Sequence, residues 1–170
     1  NEASGMKYDA GMTLDLDRQD DGRSELEIVG ELALGLTDGR SDRAKLDGCL
    51  TVDNVSSRFL VGGSLTAKGM AECSRCLKEF SLRWEVPVEL QVLRDVETDE
   101  GEGDSLVIRQ RKGEVDLRES LRESAVLAFP QAPLCTEDCR GLCPDCGADR
   151  NENPCDCADK NHDPRWDGLP

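Results

Sequence analysis

The chain has 170 residues, with 36 Asp and Glu against 21 Lys and Arg, giving a formal net charge of −15. Hydrophobic residues make up 37% and aromatics 4%, which suits one domain, or one domain with an appended module, around a modest core. So acidic a chain repels phosphates at long range, which excludes nucleic-acid binding through its overall field and leaves only a local basic patch, or a basic protein partner. No apolar run reaches the roughly 18 residues of a membrane helix. Residues 1–10 carry no basic stretch followed by an apolar one, so no secretory signal and no membrane partner are expected, and Met6 is read as the natural start.

The first part of the chain reads mostly as strands. Residues 24–36 alternate through Leu26, Ile28, Leu32, Leu34 and Leu36. Residues 59–73 continue in that style, with Leu60, Val61, Leu65 and Met70 around Gly62 and Gly63, a pair that predicts a bulge or turn. Residues 80–93 give the clearest strand, with Leu82, Trp84, Val86, Val88, Leu90 and Val92 at alternate positions. Pro87 within it predicts an edge strand or a break. Burial, rather than base stacking, is expected for Phe80 and Trp84. Residues 95–104 read as a solvated acidic loop and residues 106–108 as a short strand. One helix is predicted at about 117–128, capped by Asp116 with Glu119 completing a capping-box pattern. Leu117, Leu121, Ala125 and Ala128 form its core stripe, widened by Val126 and Leu127, and Pro130 ends it.

From Cys135 to the end the hydrophobic periodicity fades and cysteines accumulate, so this segment cannot fold on burial alone and needs a metal. The predicted fold is α+β: a mainly antiparallel sheet or partly closed barrel, one packed helix and a zinc-stabilised C-terminal module. The expected division is 1–133 for the β-rich domain and 134–170 for the tail.

Eight of the nine cysteines fall in close pairs: Cys73 and Cys76, Cys135 and Cys139, Cys143 and Cys146, Cys155 and Cys157. A C-x₂-C turn brings two thiolates onto one ion at about 2.3 Å. In Cys143-Pro144-Asp145-Cys146-Gly147, proline fixes the turn and glycine permits a positive φ. Four thiolates suit tetrahedral zinc, so two structural sites are expected. Without a secretory signal disulfides are disfavoured. The spacing matches neither common ferredoxin run, and the surroundings of Cys143 and Cys146 are turn-like rather than those of a redox C-x-x-C. The favoured grouping is Cys73, Cys76, Cys135 and Cys139 in one site and Cys143, Cys146, Cys155 and Cys157 in the other. The alternative joins Cys135, Cys139, Cys143 and Cys146, and pairs Cys73 and Cys76 with Cys155 and Cys157. A closed four-thiolate shell leaves no position for a water nucleophile. Eight thiolates and two dications would take the formal charge from −15 to about −19.

Cys49 is expected to be a buried free thiol, and His162, the sole histidine, is not expected to ligate. With no Ser/His/Asp set, phosphate loop or H-E-x-x-H motif, no enzyme is expected. The one dense basic run is Arg109, Arg111 and Lys112 around Gln110, followed by Arg118 and Arg122 on a helix face. Arg75, Lys78 and Arg83 surround the first cysteine pair. If the first site joins that pair to the helix end, the two groups can form one basic face for phosphates; otherwise they are surface charge balanced by Glu114, Glu119 and Glu123. Trp166 is expected to dock back onto the zinc module or sheet.

Several elements taken together carry a resemblance: Cys73-Ser-Arg-Cys76-Leu77 after a β-rich first half, the helix from Asp116-Leu117 to Phe129-Pro130, Leu134-Cys135-Thr-Glu-Asp-Cys139-Arg-Gly141-Leu142-Cys143-Pro144-Asp-Cys146-Gly147, and Asp163-Pro164-Arg165-Trp166. From about Glu25 onward the chain resembles the YceD family, the large ribosomal RNA subunit accumulation proteins. The resemblance implies a bacterial cytoplasmic or plastid protein supporting synthesis, processing or stability of large-subunit (23S) rRNA, and it implies no catalytic residues. Some members keep C-x-R-C but lack the C-P-x-C and C-x-C pairs, in line with the favoured grouping. The implied partners are large-subunit rRNA or a pre-ribosomal particle, reached directly or through a basic ribosomal or rRNA-processing protein. The rival from another class is a thiol redox enzyme or sensor, which predicts metal-free, reversibly oxidised cysteines.

Overall fold

The computed structural model describes residues 12–19, 22–36, 42–56, 58–94, 106–110, 112–153 and 155–159. The loop at 95–104, Arg111, His162 and Trp166 lie outside the described residues. The elements are β1 (Thr13–Asp15), β2 (Gly22–Ala33), β3 (Arg43–Val55), β4 (Arg58–Glu72), β5 (Glu79–Leu93), β6 (Leu106–Arg109), β7 (Glu114–Asp116), α1 (Arg118–Leu127) and a 3-10 turn at Asp156–Asp159.

Five strands form one open sheet in the order β2-β3-β4-β5-β6, antiparallel except for the parallel β5–β6 pair, and β1 pairs with β7 in a second, two-stranded sheet. The predicted strands are all present, the sheet is open rather than closed into a barrel, and a long strand not singled out from the sequence, β3, lies between β2 and β4. Its Ala44, Leu46, Leu50 and Val52 point inward at alternate positions, the period of a half-buried strand.

The alternation puts the core on one face of the large sheet. Ile28, Leu46, Leu50, Phe59, Leu65, Val86 and Leu90 bury there, beneath Leu14 of β1, Val115 of β7 and Leu117, Leu121 and Ala125 at the helix. Trp84 fastens sheet to helix: its indole N–H donates to the Ala125 carbonyl at 3.2 Å, and its ring meets Phe129 edge-on at 5.1 Å. Trp84 is 6% exposed, as expected of a strand residue whose polar tip finds a partner.

Four local expectations change. Gly62 and Gly63 make neither turn nor bulge, because β4 runs through them in unbroken register with β3 and β5. A Cβ on Gly63 would lie 3.1 Å from the Leu50 side chain, so that glycine makes room for a core residue. Cys49 is exposed, not buried: it occupies an outward position of β3, between inward Gly48 and Leu50. Leu127 is 84% exposed, so the apolar helix stripe is narrower than predicted. Asp116 accepts the Arg118 N–H at 3.0 Å, but Glu119 pairs with Arg122 rather than closing a capping box. Pro87 sits in unbroken β5, on the stretch that β6 does not flank, consistent with its missing donor.

Candidate metal centres

The two C-x₂-C turns are built to one pattern. In the first, the N–H of Leu77 donates to the Cys73 carbonyl at 2.9 Å and that of Cys73 to the Lys78 carbonyl at 2.9 Å. In the second, Gly147 donates to Cys143 and Cys143 to Ala148, both at 2.8 Å. The residue after the second cysteine is left-handed in both, Leu77 with φ 61 and Gly147 with φ 72. Glycine adopts that conformation freely, whereas leucine pays about 1 kcal/mol. Each curl turns backbone N–H groups and both sulfurs toward one point.

The first turn lies between β4 and β5. The loop after α1 reaches it from the other side, with Ser74 N–H donating to the Pro133 carbonyl at 2.9 Å. The Arg75 guanidinium donates to the Cys139 carbonyl at 2.9 Å and the Glu137 carbonyl at 3.3 Å. Together these bring Cys73, Cys76, Cys135 and Cys139 into one group whose sulfurs all lie within 4.8 Å of one another, and Cys143, Cys146, Cys155 and Cys157 form a second such group. Cys73 lies 3.7 Å from Cys139, and Cys76 lies 3.7 Å from Cys135, sulfur to sulfur. A disulfide requires about 2.05 Å. A tetrahedron with metal–sulfur bonds of about 2.3 Å has edges of about 3.8 Å. The first group therefore has the dimensions of a four-thiolate metal site, and both can hold an ion.

The thiols are electrostatically prepared for a cation. Burial pushes the Cys73 thiol up, but N–H donors from Cys135, Cys76 and Arg75 outweigh it and bring it down to about 6. Backbone donors from Cys146 and Asp145 likewise draw Cys143 down to about 6. The Lys78 amide lowers Cys76, but burial and the adjoining sulfurs of Cys73, Cys135 and Cys139 outweigh it and push it up to about 12. Cys157 is pushed up to about 12, mainly by Cys146 and then by burial. Cys73 and Cys143 are thus the ready thiolates, while Cys76 and Cys157 hold protons that a dication would displace.

The tail is clamped onto the first turn. Leu142 N–H donates to the Arg75 carbonyl at 3.0 Å, Arg150 N–H donates to the Gly141 carbonyl at 2.9 Å, and Leu142 bridges to Asp149. The Lys78 ammonium pairs with Asp149 at 2.8 Å and with Glu152. Asn151, fixed by Asp149 and by the Arg140 N–H, donates its amide to the Cys139 sulfur at 3.4 Å, and Arg150 reaches the Cys143 sulfur at 3.7 Å. The sequence reading missed these outer partners; the acidic and amide residues three to six positions after the C-P-x-C pair were the only signal.

Among the described residues the basic side chains are engaged in different places. Arg75 and Lys78 are turned onto the tail. Arg83 points out from β5, on the side of the sheet opposite α1. Arg118 pairs with Asp116 at 2.5 Å, and Arg122 pairs with Glu119 at 2.6 Å. Arg109, at the end of β6, and Lys112 are exposed.

Residues 61–170 match the family model described as "Large ribosomal RNA subunit accumulation protein YceD". Uncharacterized proteins of Mycobacterium tuberculosis and Mycobacterium bovis are each 36% identical over 127 residues, covering 74% of this chain and 61% of theirs. An uncharacterized protein of Mycobacterium leprae is 34% identical over 127 residues, covering 71% of this chain and 55% of its own. The chain therefore spans about six-tenths of the length of the curated relatives it matches. No solved structure matches it significantly. With the C-x-R-C-L turn, the C-P-x-C-G turn and the helix between them all inside the matched span, the chain belongs to the YceD family.

Proposed function

We propose that the protein is a non-enzymatic ribosome biogenesis factor of the cytoplasm that supports synthesis, processing or stability of large-subunit (23S) rRNA. The observation that carries this reading is the family match over residues 61–170. Two zinc ions, held by Cys73, Cys76, Cys135 and Cys139 and by Cys143, Cys146, Cys155 and Cys157, act as structural staples. Closed thiolate shells offer no open coordination position for catalysis. The module boundary near residue 133 is where the first staple is crossed, since two of its ligands lie on either side.

The partner is large-subunit rRNA or a pre-ribosomal particle. Two routes reach it: phosphate contact through basic side chains, of which Arg109, Arg111, Lys112, Arg118 and Arg122 were the sequence candidates, or capture of a basic ribosomal or rRNA-processing protein by the acidic surface. Against the redox alternative stands the gathering of four sulfurs within 4.8 Å of one another in each group, which suits a shared ion rather than a two-sulfur couple.

Depleting the protein in its host and measuring the 23S to 16S rRNA ratio tests the role; a fall is expected, and an unchanged ratio overturns it. Elemental analysis tests the staples: two zinc ions per full chain are expected, and one when Cys143, Cys146, Cys155 and Cys157 are all replaced by serine. Loss of both ions in that variant would instead support the alternative grouping. Metal-free, reversibly oxidised thiols would return the redox reading.

A further inference from the structure

The outward face of the large sheet carries its charge in blocks. In the antiparallel register Lys45 of β3 stands beside Lys68 of β4, and Lys68 stands beside Arg83 of β5. All three are exposed. Among the described residues none of them makes an ion pair, while Arg18, Arg23, Arg43, Lys78, Arg94, Arg118 and Arg122 all do. Like charges directly opposite on a sheet are destabilising. A chain with 36 acidic residues has ample means to neutralise such a row, and it leaves this one unneutralised.

The surroundings bound what can bind. The row ends at Glu31, which faces Lys45 from β2, but that carboxylate is taken by Arg43 at 2.5 Å. One row along the strands lie Asp47 and Glu85 on either side of Thr66, and Glu85 accepts from Ser64 at 2.7 Å. Further on the face carries Glu25, Glu27 and Glu89. Lys45, Asp47, Thr66, Lys68 and Arg83 line a shallow depression. Neighbouring strands are about 4.8 Å apart, so the three cations span roughly 10 Å across the sheet. The acidic block next to them would repel a polyanion laid along the strands and admit one crossing them.

We infer that the Lys45–Lys68–Arg83 row is an RNA-binding surface, seating the phosphates of one strand running across β3, β4 and β5. This rests on the rRNA reading above and gives it a surface on the face of the sheet opposite α1. Few contacts and long flexible stems suit backbone contact without base reading. Selectivity for an RNA segment then comes from elsewhere in the complex.

The test uses the full, zinc-loaded chain and a fluorescein-labelled 20-nucleotide oligouridine. Three phosphate contacts predict a slope of log K against log salt of about −2, or about 15-fold weaker binding at 200 than at 50 mM salt. Lys45→Gln, Lys68→Gln and Arg83→Gln combined should bring the slope near zero; each alone should reduce it by about 0.7. The triple variant should melt at the same temperature or higher, because it relieves like-charge crowding, which separates lost binding from lost folding. The inference is overturned by a triple variant that keeps the parental slope, by no binding to the parent at low salt, or by a loss confined to Arg118→Gln with Arg122→Gln. Polyglutamate competing better than RNA of equal charge would also overturn it, in favour of an acidic protein. In depleted cells, full restoration of the 23S to 16S ratio by the triple variant would sink this surface while leaving the biogenesis role standing. An unchanged ratio on depletion would remove that role and leave the surface to the salt slope.

Discussion

Replacing Gly141 by alanine probes the joint between the two cysteine groups. Gly141 has φ 69, and a Cβ there would lie 2.8 Å from the Arg75 carbonyl oxygen and 3.2 Å from the Arg75 Cβ. The left-handed conformation alone costs an L-residue about 1 kcal/mol. The oxygen belongs to the backbone of the first metal turn and cannot rotate away. Relief requires the two segments to part, which loses the Leu142 N–H bond to that same carbonyl, worth about 1 kcal/mol, and leaves both groups without that partner. The total is about 2–4 kcal/mol. Gly147 supplies the control: its φ is 72, but nothing lies within 4 Å of its would-be Cβ, so Gly147→Ala should cost only the conformational part. In thermal denaturation of the zinc-loaded chain, Gly141→Ala should melt about 4–8 °C below Gly147→Ala. Equal melting temperatures would refute the close approach of the tail to the first turn.

Three further outcomes are expected. Leu77→Gly should stabilise the chain by about 0.5 kcal/mol, since the left-handed penalty exceeds the backbone entropy glycine adds; a loss above about 1 kcal/mol in urea unfolding would mean that the exposed leucine packs on something. In the metal-free chain, mass-mapped alkylation should find Cys73 and Cys143 gaining reactivity as pH rises through about 6 while Cys76 and Cys157, pushed up to about 12, stay slow; all four titrating together would refute the donor geometry. Because the folded Cys73 and Cys143 values lie below the roughly 8.5 of an unfolded cysteine, these ionisations favour the metal-free fold fully above that pH and are lost as pH falls through about 6. Cys49→Ser should leave zinc content and melting unchanged, and in the parent chain Cys49 should be the thiol alkylated fastest in the presence of zinc, as befits an outward strand position.

The strands were legible where alternation was uninterrupted. β5 read cleanly because its inward positions from Trp84 to Val92 are all large. β3 was passed over because Gly48 stands where a large inward residue would have kept the rhythm, although a Cβ there would lie 2.9 Å from Leu65. β1 and β7 are each too short to carry a period and exist through pairing with each other. The four-cysteine groups were legible because ligand spacing is a local property of the chain. Their clamp was not: Lys78 meets Asp149 and Glu152 across more than seventy residues, and no local pattern announces a partner that distant. The cationic row was equally hidden, since Lys45, Lys68 and Arg83 become neighbours only once the register of three strands is known.

The two cysteine groups differ in what they do to the chain as a polymer. The first ties Cys76 to Cys135 across 58 intervening residues, enclosing β5, β6, β7 and α1 in a loop. The second closes only the short span from Cys143 to Cys157. By the chain-entropy relation for cross-links, the long closure removes on the order of 4 kcal/mol of freedom from the unfolded ensemble, and the short one about 3. An ion at the first group thus acts on residues that never touch it, by shrinking the set of unfolded conformations available to the sheet and helix. Chelation should lower the cooperative melting of the whole β-rich body, including strands far from any sulfur.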